Sequence, residues 1–270
     1  MRVPRGQRRP QAVILTLEPF MRRMQTLLIL LAWMPSLFGH AQSTAEPQSA
    51  KIWVGRHHEI EEYLKTAECT SMRRSGSNIV ARCTLRPGGP IAMMAWKSQP
   101  PGFYRGFWES YKGEIAAYEL DKLLKMDMVP PTVERQLDGS NGAAQQWVAD
   151  VVDATDPALP TGENRARWEA QLVRMTMFDN LIGNRARNRR NMLRDPAWNL
   201  ILIDHLQAFG VEPELPHKSS GVDERFWAQI DRLTQRQLDA ALRAWLNQPE
   251  IDAILARRER MRADLRSRPK

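Results

Sequence analysis

Residues 178–205 constrain this chain more than any other stretch. An apolar stripe of Trp168, Leu172, Met175, Phe178 and Ile182 at helical spacing gives way after Gly183 to the polar loop Asn184-Arg185-Ala186-Arg187-Asn188-Arg189-Arg190-Asn191. Apolar residues return on both sides of the turn Asp195-Pro196-Ala197-Trp198, which predicts a hairpin near residues 191–204. Asn191 opens its first strand and Asp204 closes its second, so antiparallel pairing brings both side chains to the open end. An amide oxygen beside a carboxylate is a hard-donor pair suited to Mg²⁺ or Mn²⁺ on a nucleotide phosphate. Asp204 equally suits a plain turn cap after a strand.

Upstream, residues 59–64 read as a short helix and residues 66–72, 79–85 and 91–97 as a three-stranded meander. Ser75-Gly76-Ser77 forms its first turn, Pro87-Gly88-Gly89-Pro90 its second, and Pro100-Pro101-Gly102 breaks the chain after Lys97. Tyr111, Ile115, Tyr118, Leu123 and Leu124 give residues 110–125 a helical apolar stripe. Two strands at 132–136 and 144–148 flank an Asp138-Gly139 turn, and a Pro/Gly-containing loop covers 153–164. Helices close the chain after about residue 222. Strands with one helix, then mostly helices around a hairpin, predict an α+β fold in two lobes. The expected lobes are a β-rich one over 51–150 and a helical one over 151–270.

The beginning of the chain reads differently. A basic head, Met21-Arg22-Arg23-Met24, precedes the apolar run 27–34 and the small-residue end Gly39-His40-Ala41. That is the order of a secretory signal peptide, expected over 1–41 with translation starting at Met21, followed by a linker over 42–50. The apolar run is shorter than the roughly 20 residues a membrane span needs; an uncleaved anchor is the competing reading. Roughly 225 residues then remain, enough for one large domain or two lobes. The leader holds six Arg and one Glu, which leaves 33 basic against 30 acidic residues. A net charge of +3 makes no case for nucleic acid. Cys69 and Cys83, the two cysteines, each lie seven residues from Gly76. In a hairpin centred there they face each other, which suits a disulfide in an oxidising compartment or two buried thiols. His57, His58 and His217 show no metal-ligand spacing and read as surface residues.

The loop and hairpin resemble the catalytic and metal-binding segment of atypical bacterial kinases. These are related to HipA-type kinases, the phosphatidylinositol-kinase-like superfamily and secretory-pathway kinases. The family loop reads Asn-x-Asp-Arg-Asn/His-x-x-Asn, matched by Asn184, Arg187, Asn188 and Asn191, and Asp204-His205 matches its later strand end. Ser110-Tyr111-Lys112-Gly113-Glu114-Ile115-Ala116-Ala117-Tyr118 is similar to the family helix, and Val129-Pro130-Pro131-Thr132-Val133 is also familial. The likeness spans roughly residues 59–260. It implies that Lys97 reaches the nucleotide phosphates and that Glu114 pairs with it. It also implies that Ser75, Gly76 and Ser77 cover the phosphates, that residues 144–148 line the adenine pocket, and that Asn191 and Asp204 hold the metal. The implied cofactor is ATP or another nucleotide with Mg or Mn. Read without the resemblance, Lys97 is a solvated strand end and Glu114 a surface helical partner.

One position departs from the pattern. The family aspartate that accepts or orients the acceptor's proton is Ala186 here, and a positioned base is worth about 10²–10⁴ in rate. Neither Asp179, two helical turns earlier, nor Asp195, in the hairpin turn, replaces it. Three functions follow: an exported degenerate kinase with a regulatory or scaffolding role toward a protein partner, an active phosphotransferase with a relocated or dispensable base, or a non-enzymatic protein-binding module.

Overall fold

The computed structural model describes residues 48–74, 80–219 and 221–267. The leader and the turn Ser75-Gly76-Ser77 lie outside these residues. Helix α1 (His57–Thr66) is followed by strands β1 (Cys69–Arg74), β2 (Val80–Leu85) and β3 (Met93–Lys97). A short hairpin, β4 (Gly102–Tyr104) and β5 (Phe107–Glu109), then leads into helix α2 (Tyr111–Leu123). Strands β6 (Thr132–Leu137) and β7 (Ser140–Gln146) complete an antiparallel five-stranded sheet of order β1-β2-β3-β7-β6. The expected meander is present, and the Asp138-Gly139 turn has both residues at positive φ, 49° and 75°, the geometry of a tight two-residue hairpin.

Period-two alternation sorts the two faces of β3. Met94 and Trp96 join Trp53, Ile60, Leu64, Val133 and Ala144 in the core between the sheet and α1. Ala95 and Lys97 therefore face the other way, toward α2, where Tyr111 and Ile115 pack on Ala143, the neighbour of Lys97 in the sheet. Lys97 is thus carried into the interior by strand register.

After β8 (Val152–Asp153) comes helix α3 (Glu163–Ile182), then a 3-10 turn (Arg189–Asn191) and strands β9 (Met192–Arg194) and β10 (Leu200–Leu202). Strands β10, β9 and β8 form a small sheet. Helices α4 (Glu224–Asp231), α5 (Gln235–Leu242) and α6 (Gln248–Arg266) follow. Their apolar faces enclose one core with Phe178, Leu181, Ile182, Leu200 and Leu202. The α+β, two-lobed arrangement holds: a β-rich half with α2, then a helical half around a hairpin. The sequence reading missed three strands. β4 and β5 turn at Arg105 and Gly106, both at positive φ, and β8 is two residues long.

Cys69 and Cys83 are bridged, with Cα atoms 5.8 Å apart. They are not direct cross-strand neighbours as the symmetric hairpin implied. A register shift between Cys69 and Ser71 places Cys69 opposite Leu85 and Met72 opposite Cys83, so the bridge runs diagonally. Two histidines read as surface residues are half-buried and bonded. His57 lies between the Tyr118 hydroxyl (3.0 Å) and Asp127 (3.2 Å), and the His217 ring contacts the Asn184 carbonyl at 2.7 Å.

Candidate functional site: a buried charge network beneath the cleft

Each side chain of the site is delivered by a local rule. Ser110 caps α2 by accepting from the Lys112 N–H at 3.1 Å, which fixes the first turn and hence the direction of Glu114. Gly113 lets this turn approach the strand end: a Cβ there would lie 2.6 Å from the His205 carbonyl oxygen. At the other end of the site α3 stops on Gly183 in the left-handed region, φ 67°, so the chain leaves the helix as a loop. Asp204 adopts φ 65°, a conformation few side chains except Asn and Asp tolerate.

Glu114 is fully buried and its Oε1 accepts from Lys97 Nζ at 2.6 Å and from the His205 N–H at 2.9 Å. Lys97 also lies 3.7 Å from Asp204 Oδ1. The expected Lys97–Glu114 pair is therefore formed, with Asp204 as its third member. Burial works against charge on all sides here. The Lys97 ammonium and the His205 ring outweigh it for Glu114, whose pKa falls to about 2. Burial likewise opposes charge on Lys97, and Glu114 and Asp204 outweigh it to raise that pKa.

The second hub is Arg187, whose five N–H groups all have acceptors. Nε and Nη2 hold the two Asp179 oxygens at 2.8 and 3.0 Å. Nη1 donates to the carbonyls of Asn191 and Ile203, both at 2.7 Å. Nη2 also donates to His205 Nε2 at 2.9 Å. Because arginine only donates, Nε2 is the unprotonated nitrogen and Nδ1 carries the hydrogen, 3.6 Å from Glu114 Oε2. That distance is too long for a good hydrogen bond. Burial first, then the Arg187 charge, lowers the His205 pKa despite Glu114, so the ring stays neutral. Lys97, Glu114, His205, Arg187 and Asp179 form one continuous chain from β3 through α2 to α3.

The loop around Ala186 is tied by its asparagines. Asn184 Oδ1 accepts from the Ala186 N–H at 3.1 Å, while its amide donates to Asp179 at 2.9 Å. Asn188 and Asn191 each donate an amide to the Ala186 carbonyl, at 3.2 and 3.5 Å. Asn191 closes the 3-10 turn rather than opening β9, yet its carbonyl still accepts from the Ile203 N–H at 3.2 Å. That bond places its backbone beside the strand that leads into Asp204. Asp195 is buried at the hairpin turn and accepts from the Ala50 and Asn199 N–H groups. Asp179 and Asp195 are both committed to structure, so neither supplies a base at Ala186.

Asn191 and Asp204 are, by donor chemistry, the residues that would hold a cation shared with a ligand. No group of three or more His, Cys, Asp or Glu gathers among the described residues, so the protein offers no cage of its own. Asp204 is half exposed. Among the described residues, no hydrogen bond engages the Asn191 amide oxygen. Two oxygen donors of this kind suit Mg²⁺ or Mn²⁺ that takes its other ligands from phosphates and water. A separate hollow of about 330 Å³ lies by the N-terminus of α2, lined by Trp108, Lys112, Trp245 and Glu250, and Lys97, Glu114, Asn191 and Asp204 do not line it.

No protein-family model matches the sequence, and no curated protein matches it. Solved structures do match in fold. The Golgi casein kinase superposes with a TM-score of 0.53 at 15% identity, over 78% of this chain and 75% of that one. The hydra Fam20 structure with sugar gives 0.55 at 14% identity, over 77% and 87%. The fold is kinase-like. A Golgi casein kinase structure with Mn/ADP bound also matches, with TM-score 0.52 and 16% identity over 76% and 73% of the chains. At these identities the likeness establishes the kinase-like architecture. The arrangement of Lys97, Glu114 and Asp204 is this chain's own geometry.

Proposed function

We propose that this chain is an exported, degenerate kinase that binds a nucleotide with Mg²⁺ or Mn²⁺ and transfers phosphate poorly to ordinary hydroxyl acceptors. The observation that carries the reading is the contact of Lys97 with both Glu114 and Asp204, on a kinase-like fold whose catalytic loop has a methyl group at Ala186. Lys97 would meet the nucleotide phosphates, Glu114 would hold the ammonium, and Asn191 and Asp204 would hold the metal, which neutralises phosphate charge when bound. Arg187 and Asn188 would shape the loop without touching the reacting atoms. Ser75, Gly76 and Ser77 are proposed to cover the phosphates. Export is supported by the leader-like order of residues 21–41 and by a disulfide, a bond at home in oxidising compartments. A regulatory or scaffolding role toward a protein partner goes with weak transfer.

The reading is tested by labelled γ-phosphate transfer to a serine-containing peptide. Wild type is expected to show a trace rate, and Ala186→Asp to raise it by about 10²-fold, the low end of base catalysis. A fast wild type that Ala186→Asp leaves unchanged would favour the active enzyme with a dispensable base, since positioning and electrostatics carry most of phosphoryl transfer.

A further inference from the structure

We infer that the loop around Ala186 is built for an acceptor whose attacking oxygen is already ionised, namely a phosphate monoester. This rests on the nucleotide-binding reading above and names the acceptor class for the same site.

Two independent observations converge on it. The first is that three titratable groups of this network, Asp179, Asp195 and His205, are committed elsewhere, while His217 meets the loop only by donating Nε2–H to the Asn184 carbonyl. Asp179 holds Arg187 with both oxygens, Asp195 is bonded at the far end of the hairpin, and His205 Nε2 accepts from Arg187. An acceptor hydroxyl finds none of these three free to take its proton. A phosphate monoester, with a second pKa near 6, carries a deprotonated oxygen at neutral pH and needs no base.

The second observation is charge. Arg187 is turned inward, while Arg185, Arg189 and Arg190 are exposed on either side of Ala186. Arg185 and Arg190 make no side-chain hydrogen bond or ion pair with another described residue, and Arg189 gives only its Nε, to the Ala154 carbonyl. The nearby acid, Asp153, accepts from the Thr155 N–H and hydroxyl and makes no direct ion pair with these arginines, although its charge acts on Arg190 and Arg189 from a distance. Guanidinium groups match phosphate oxygens in geometry and charge. They would offset the repulsion between an acceptor dianion and the γ-phosphoryl group. With Ala186 in place of an aspartate, no carboxylate stands there to repel such an acceptor.

The step balances simply. The bond between the γ-phosphorus and the β,γ-bridging oxygen of ATP breaks, and ADP leaves with the electron pair. A new bond forms from the γ-phosphorus to an acceptor phosphate oxygen, giving a diphosphate, and no proton is removed from the acceptor.

The test incubates the whole chain with ATP and Mg²⁺ and follows diphosphate formation by ³¹P NMR, with nucleotide binding read as a thermal shift in the same samples. The probes are a phosphoserine peptide, glucose 6-phosphate and the unphosphorylated serine peptide. The expected result is a diphosphate on at least one phosphorylated probe, about 10²-fold or more faster than transfer to serine; the two phosphorylated arms tell peptide from small-molecule acceptors. Ala186→Asp should slow transfer to the phosphorylated probe and speed transfer to serine. Arg185→Gln with Arg190→Gln should cut diphosphate formation about tenfold while the nucleotide shift persists. A nucleotide shift without any diphosphate, or with serine modified equally fast, overturns this inference and leaves the nucleotide site standing. Loss of the shift in the arginine variant reassigns these residues to the nucleotide and also overturns it. Absence of a shift in wild type removes both readings together.

Discussion

Replacing Arg187 with methionine removes a group that joins α3, the loop and the hairpin. The side chain is 4% exposed and its partner Asp179 is fully buried. Methionine fills much of the volume but supplies none of the five donors, so the Asp179 carboxylate keeps only the Asn184 amide at 2.9 Å. Breaking a buried pair from one side costs about 3–5 kcal/mol. The Ile203 carbonyl also loses its donor, at about 1–3 kcal/mol for an unsatisfied buried group. The expected loss is therefore about 4–8 kcal/mol, comparable with the whole stability of a domain. Urea unfolding followed by circular dichroism reads it directly. A double-mutant cycle with Asp179→Asn isolates the pair: once the carboxylate is neutral, methionine should cost at least about 2 kcal/mol less. A loss under about 1 kcal/mol for Arg187→Met, or additive single effects, would refute the argument that a buried hub organises the loop.

Other perturbations have signs fixed by the structure. Asp121 is buried, accepts from the Met128 and Val129 N–H groups through Oδ1, and burial raises its pKa to about 7. The folded state thus holds this proton more tightly than the unfolded one, so its contribution to stability is lost as pH rises from about 4 to about 7. Asp121→Asn should remove that loss, gaining on wild type across this window in denaturant midpoints and levelling off above it. Glu114 has the opposite sign: its depressed pKa gives stability present above about 4.5 and lost as pH falls toward 2. Glu114→Gln should flatten that acid limb. Opening the Cys69–Cys83 bridge, 14 residues apart in sequence, with a reductant or a double Ser variant should cost about 3 kcal/mol by loop entropy. Gly113→Ala should destabilise and weaken nucleotide binding together, because the Cβ meets the His205 carbonyl; a neutral result would mean α2 can retreat freely.

What the sequence made legible was what local rules control. The α3 stripe, the Asp138-Gly139 turn and the hairpin that carries Asn191 and Asp204 all follow from spacing and turn chemistry. Lys97 and Glu114 were placed by resemblance, and the structure joins them through strand register and the small residue at 113. For Cys69 and Cys83 a bridge and two buried thiols were both open, and the facing geometry was wrong, because a register shift leaves little trace in composition. Least visible was the hub. Arg187 was one of four arginines in a basic loop, and nothing in that pattern distinguishes the one turned inward. Its signal was a buried acid two turns back in the helix, Asp179, which needs a partner. His205, which links both halves of the network through its backbone N–H to Glu114 and its Nε2 to Arg187, was noted only as part of a strand end. The β4–β5 hairpin was hidden by reading the prolines before it as a simple break.

The proposed function depends most on a working nucleotide–metal site at Lys97, Asn191 and Asp204. The most direct measurement is the thermal shift of residues 42–270 with ATP and Mg²⁺ or Mn²⁺, wild type beside Asp204→Ala. At a nucleotide concentration about one hundred times the dissociation constant, binding adds roughly 2.7 kcal/mol, an easily read rise in Tm. The account predicts that rise for wild type and its loss in Asp204→Ala or on chelation of the metal. No rise for wild type across millimolar nucleotide, or a rise that Asp204→Ala leaves intact, would contradict it.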